Sequence, residues 1–101
     1  MYYVYVLQSL KDKLFYTGFT DNLERRILEH NGNLGVPTRN RGPFKVIYYE
    51  WCLNKYDAIA REKYLKSGMG KRYLRNRIKL YLEAISEDKG TGIFSNGAAP
   101  R

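Results

Sequence analysis

The chain is poor in the residues that announce covalent or metal chemistry. It contains one cysteine, Cys52, and one histidine, His30. A single cysteine excludes an internal disulfide, and no Cys/His spacing suits a zinc site, so a reducing, cytoplasmic setting is the expectation. Cys52 lies in a Tyr- and Trp-rich pattern and reads as a packing residue rather than a nucleophile. No apolar run is long enough for a membrane-spanning helix, so no membrane partner is expected. The opening "MYYVYVLQS" has neither a basic n-region nor a small-residue cleavage site, and reads as a strand, not a signal peptide. Acidic residues are also scarce: ten Asp and Glu face eighteen Lys and Arg, a net charge of +8.

What is present is one modest domain. The 101 residues are 44% apolar and 28% charged, a globular composition. The positive excess is concentrated. Arg61, Lys63, Lys66, Lys71, Arg72, Arg75, Arg77 and Lys79 stand against a single acid, Glu62, between positions 61 and 79. Such a block attracts a polyanion and releases counterions on binding, which makes nucleic acid the leading partner. An anionic membrane surface and a merely solvated face are the competing readings.

Aromatic and β-branched residues at Tyr2 to Gln8 predict a strand, "FYTGFT" a second, and "FKVIYYEWC" a third. The first two form an antiparallel hairpin across "SLKDKL". An odd pairing sum there, Tyr5 opposite Tyr16 or Gly18, puts Tyr5 and Tyr16 on one sheet face. Asp21 or Asn22 can cap the next helix, whose Leu23, Ile27 and His30 form a stripe at helical spacing. "NGNLGVPTRNRGP" reads as a loop. Asn54 caps a helix to about Ser67, which "SGMG" ends at a glycine, and "KRYLRNRIKLYLEAI" is a last amphipathic helix. The expected class is therefore α+β, a three-stranded antiparallel sheet with helices in the order β-β-α-β-α-α, over residues 1–85. Residues 86–101 are Gly- and Ser-rich without a period and read as a flexible tail.

Phosphodiester hydrolysis needs a base for water, a cation for the charge on phosphorus, and neutralisation of the leaving oxygen. Arg26 and His30 are four apart and share a helix face bordering the apolar stripe. Glu29 can equally pair with Arg26, and His30 suits a helix C-terminus by charge alone. Glu62 has Ala58, Ile59, Leu65 and Met69 as helical neighbours, and a carboxylate in an apolar stripe needs compensation. An ion pair with Lys66 and a hard divalent metal both supply it, and the pattern does not choose between them. Most of the ten tyrosines are expected to be packing residues. Tyr5 and Tyr16 stand apart because Gly18, which permits close backbone approach, lies between them and the Arg26 helix.

These residues together resemble the GIY-YIG nuclease superfamily. "YVY" at 3–5, "YTG" at 16–18 and "NLERRILEHN" match its signature, and "AIAREKYLKSGMGKRYL" is similar to the metal-glutamate helix of its small stand-alone bacterial members. The resemblance implies an endonuclease cutting DNA with one Mg²⁺ or Mn²⁺ ion, structure-specific or repair-related like its relatives. It implies Tyr5, Tyr16, Arg26, His30 and Glu62 as catalytic residues, with Glu62 the metal ligand and Tyr5 a base whose pKa a nearby cation must lower. Gly18 matches the glycine of the second motif element. Substrate contacts are expected from Gly18, Lys63, Lys66, Lys71, Arg72 and Arg75, with Asn76 the candidate for the asparagine many members place after the glutamate. The sequence departs from the family at Tyr3, where the first element usually has glycine, and at Phe19, where repair-nuclease relatives carry lysine. With no second domain, specificity falls to the basic helices or to a protein partner, and RNA remains open as a substrate. A nucleic-acid-binding module with lost catalysis is the alternative, and a protein-interaction domain is a third.

Overall fold

A computed structural model describes residues 1–32 and 42–86. Apart from Ser86, which ends the last helix, the expected tail therefore lies outside the described residues, as does most of the expected loop. Three strands, β1 (Tyr2–Ser9), β2 (Phe15–Thr20) and β3 (Phe44–Cys52), form one antiparallel sheet in the order β2-β1-β3. Helix α1 (Leu23–Asn31) connects toward β3, and α2 (Lys55–Lys66), α3 (Gly68–Arg77) and α4 (Lys79–Ser86) follow. The α+β class and its element order agree with expectation, except that the last helix is two.

The central strand β1 carries the core, because it alone is paired on both sides. Val4, Val6 and Leu7 are fully buried. Tyr5 pairs with Gly18 and Leu7 with Tyr16, so Tyr5 and Tyr16 do share a face. On that face Tyr5, Leu7 and Phe44 pack with Tyr16, Leu23 and Ile27, under α1. On the opposite face Val4 packs with Ala58 and Leu65 of α2. A register shift in the β1–β3 ladder lets Val6 face Tyr48 and Leu7 face Val46, passing over Ile47. That bulge allows Val46 and Tyr49, of opposite parity, to sit on one face of the sheet.

Local chemistry sets the helix ends. Asn22 accepts from the Arg25 amide and starts α1, while Asp21 pairs instead with the Arg25 side chain at 3.1 Å. Asn54 caps α2 by accepting from Tyr56 N. Ser67 ends α2 and also caps α3, its hydroxyl accepting from Gly70 N at 3.1 Å. The "SGMG" glycines are therefore not a helix terminator but the first turn of α3. Gly70 is buried where a Cβ would lie 2.6 Å from Leu65 Cα, so glycine lets α3 press onto α2. At Ile78 the backbone leaves helical geometry and divides α3 from α4.

Candidate active site

The site is built around Tyr5. Gly18 lies directly opposite it, and a Cβ at position 18 would stand 2.5 Å from Tyr5 Cζ. The missing side chain lets the phenol cross its neighbouring strand. From α1, His30 meets it: Tyr5 Oη and His30 Nε2 are 3.1 Å apart in a buried hydrogen bond. The imidazole stands edge-on between Tyr5 and Phe44, with centroids 5.9 Å from each. Phe44 is fixed in turn by Asn31, which accepts from its backbone N–H at 2.6 Å and donates to its carbonyl at 3.3 Å. Tyr16 is edge-on to the same Phe44 at 5.5 Å.

Burial decides the protonation states. Desolvation holds the His30 pKa below the ordinary histidine value, and the nearby Arg26 charge adds to this against weaker help from Glu29. His30 is therefore neutral at pH 7. Desolvation also raises the Tyr5 pKa, outweighing the lowering by Arg26. The expectation that a neighbouring cation lowers Tyr5 holds for Arg26 only as an opposing, smaller effect. Arg26 itself bonds Glu29 at 2.8 Å and is half-buried.

Tyr5, Arg26 and His30 line one cleft of about 810 Å³. Tyr5, Tyr16, Gly18, Arg26, His30 and Glu62 line it together, although they come from four elements. Glu62 Oε2 is 2.9 Å from Lys66 Nζ, so the ion pair foreseen as the alternative to a metal is formed. Lys66, Lys71 and Arg75 also line the cleft. Lys63, Arg72 and Asn76 are exposed and do not line it. Helical spacing explains the division: 62, 65 and 66 on α2 and 71, 74 and 75 on α3 make the facing stripes.

Sequence reasoning missed Lys13, which lines the cleft from the β1–β2 turn with a left-handed φ of 67°. The position preceding a strand after "KD" gave only a turn signal. It also missed that Arg61 is not part of the basic surface. Its guanidinium forms two 2.9 Å bonds to Glu50 of β3 and covers the rings of Tyr73 and Tyr64. Tyr48 donates to the same carboxylate at 2.8 Å, and burial and these hydrogen bonds push its hydroxyl pKa up.

The donor set bears on the metal. Among the described residues no group of three His, Cys, Asp or Glu is positioned to hold an ion. Among the described residues lining the cleft, Glu62 is the only carboxylate. This excludes a zinc-type cage of described residues but fits Mg²⁺ or Mn²⁺, which keep most of their water and take one or two carboxylates plus substrate phosphate.

Residues 1–76 match the family model of the GIY-YIG catalytic domain. The chain belongs to the GIY-YIG family. It is 51% identical over 67 residues to the UPF0213 protein CPE1444 of Clostridium perfringens, covering 65% of this chain and 71% of that protein. It is 42% identical over 66 residues to the UPF0213 protein OB0043 of Oceanobacillus iheyensis, covering 64% and 76%. The solution NMR structure of the UPF0213 protein BH0048 from Bacillus halodurans aligns with a TM-score of 0.51 at 33% identity, covering 86% of this chain and 96% of that one. GIY-YIG domains are nuclease domains that act on DNA and generally use a divalent metal. No helix among the described residues is long and apolar enough to cross a membrane.

Proposed function

We propose that this GIY-YIG domain is an endonuclease that hydrolyses DNA phosphodiester bonds with one Mg²⁺ or Mn²⁺ ion. The observation that carries the reading is convergence: five side chains spread from position 5 to position 62 face one cationic cleft. Glu62 would hold the ion, exchanging its Lys66 partner for it, and the bound ion would supply charge neutralisation at the leaving oxygen. Arg26 stands beside Tyr5 and stabilises the extra negative charge on phosphorus. Tyr5, protonated at rest, takes the proton of the attacking water as it passes its own to His30 Nε2. The 3.1 Å contact and the neutral imidazole suit that transfer, which avoids a free phenolate. Tyr16 borders the same wall and orders it through Phe44.

A reducing cytoplasm suits such an enzyme with its one free cysteine. Repair or branched-DNA specificity would rest on the cleft or on a protein partner. The test is direct. Plasmid and branched DNA incubated with Mg²⁺ or Mn²⁺ should be cut by the native chain and not by Glu62→Ala, which should still bind DNA. Equal cutting by that variant would defeat the mechanism. Salt-sensitive binding without cleavage in either metal would establish the binding-module alternative.

A further inference from the structure

The cleft is lined by more residues than hydrolysis requires. Beyond the Tyr5–Arg26–Glu62 end it continues between the β1–β2 turn on one side and α3 and α4 on the other. This distal half has an apolar wall of Leu14, Phe15, Leu74 and Leu82, with Lys13, Lys71 and Arg75 along it. Leu14 is 54% exposed, so part of that wall lies open.

The two sides are braced against each other. Gln8, 3% exposed, donates from Nε2 to the Lys13 carbonyl at 3.2 Å and accepts from the Tyr81 hydroxyl at 2.5 Å. One buried amide thus joins the turn carrying Lys13 to the helix carrying Leu82. The turn is held by further bonds: Ser9 Oγ accepts from Lys11 N and Asp12 N, and Asp12 Oδ1 accepts from Leu14 N. Lys13 adopts a left-handed backbone that costs a non-glycine residue energy, and the surrounding bonds hold it there.

Apolar surface interleaved with cations is the chemistry that grips unpaired nucleotides, whose base faces are free to stack and whose phosphates stay anionic. A paired duplex keeps its base faces stacked inside and offers only base edges in its grooves, so it cannot stack on the apolar wall. We propose that the distal half seats an unpaired segment of the substrate strand next to the scissile phosphate. Its bases lie on Phe15, Leu14 and Leu82, and its phosphates meet Lys13, Lys71 and Arg75. The choice of nucleic acid over a peptide or lipid follows from the cations and from continuity with the candidate active site. The inference rests on the DNA-cleaving reading for its substrate and adds the strand's state.

The test measures binding by fluorescence anisotropy in metal-free buffer, with a blunt duplex, the same duplex carrying an unpaired tail, and one whose tail is abasic. The natural tail should tighten binding about tenfold, and the abasic tail should lose most of that gain. Lys13→Asn removes the charge while tolerating the left-handed backbone. It should weaken tailed DNA more than the blunt duplex and lower the tailed complex's log–log salt slope by about 0.7. Leu14→Ser, at an exposed position, should reduce the tail preference without changing that slope. Equal affinity for blunt and tailed DNA, or an abasic tail bound as tightly as the natural one, would overturn the proposal. Since no metal is present, the two readings fail separately. Tail preference without any cleavage would refute only the nuclease, and Glu62-dependent cutting without tail preference would refute only the seat.

Discussion

His30 is a histidine whose surroundings forbid its charge. Its pKa is depressed by burial and by Arg26, so acid must pay to protonate it in the folded chain. The unfolded chain takes up that proton near the ordinary histidine value of about 6.5. Between that value and the lower folded one the unfolded state binds more protons, so stability falls as pH drops through this window and then levels off. Thermal melts from pH 8 to pH 4.5 should show a decline beginning near pH 6.5 that is absent in His30→Gln. The same titration sets an acid limb for cleavage, since protonated His30 cannot accept from Tyr5. Activity should fall in acid only below the ordinary histidine value, since the His30 pKa is lowered, and show no loss from Tyr5 ionisation up to pH 9, because that pKa is raised. A flat acid profile would remove His30 from the proton path. At this scale the sequence was legible where one helix or one hairpin sufficed. The parity of Tyr5 and Tyr16, the Asn54 cap, a cap at Asp21 or Asn22 and the Leu23–Ile27–His30 stripe were all readable. The Tyr5–His30 bond was not, because it depends on how α1 lies across the sheet.

At the scale of elements, α3 presses closely on the end of α2 at Gly70, and two glycines of α3 make opposite predictions. A side chain at Gly70 meets Leu65 Cα and the Tyr64 carbonyl, both backbone and unable to yield. Gly70→Ala should destabilise by about 1–3 kcal/mol. Gly68 has nothing within 4 Å of its hypothetical Cβ, so Gly68→Ala should be neutral or stabilise by up to about 1 kcal/mol. Urea melts of the two variants check the contrast, and similar losses at both positions would contradict it. Leu65→Ala, in the fully buried core of α2, should cost about 2–5 kcal/mol by the same measurement. The sequence misled at these helices for a physical reason. Glycine after a helical run usually marks a C-terminus, but here Ser67 ends one helix and begins the next. Arg61 was misread likewise, because its partner Glu50 lies in another element and the β3–α2 registry is not encoded in spacing. The failure of Lys63, Arg72 and Asn76 to reach the cleft was readable, since each is one residue off its helix's facing stripe.

For the whole molecule, the net charge of +8 matters less than where it is spent. Arg61, Arg25 and Arg26 are engaged by Glu50, Asp21 and Glu29. Lys13, Lys71 and Arg75 line the cleft, together with Arg26 and with Lys66, which pairs with Glu62. DNA binding should therefore weaken with salt along a log–log slope of roughly −3 or steeper. Substituting Lys71 and Arg75 by Gln should flatten that slope more than substituting the exposed Lys63 and Arg72, measured by anisotropy at 50 to 300 mM salt. Equal flattening by both pairs would mean that the polyanion reads the basic block as a surface and not the cleft.

Tyr5 passes over Gly18 because position 18 has no side chain. The phenol of Tyr5 fills the volume that a side chain at 18 would need, so position 18 cannot gain one while Tyr5 stays where it is. Among chains descended from this one, a substituent at 18 should appear only with a smaller residue at 5, and with it the loss of the phenol that faces the cleft. A glycine at 18 therefore works as a genetic lock. It permits the tyrosine by having no side chain, and its replacement would mark lineages that have given up the chemistry while keeping the fold.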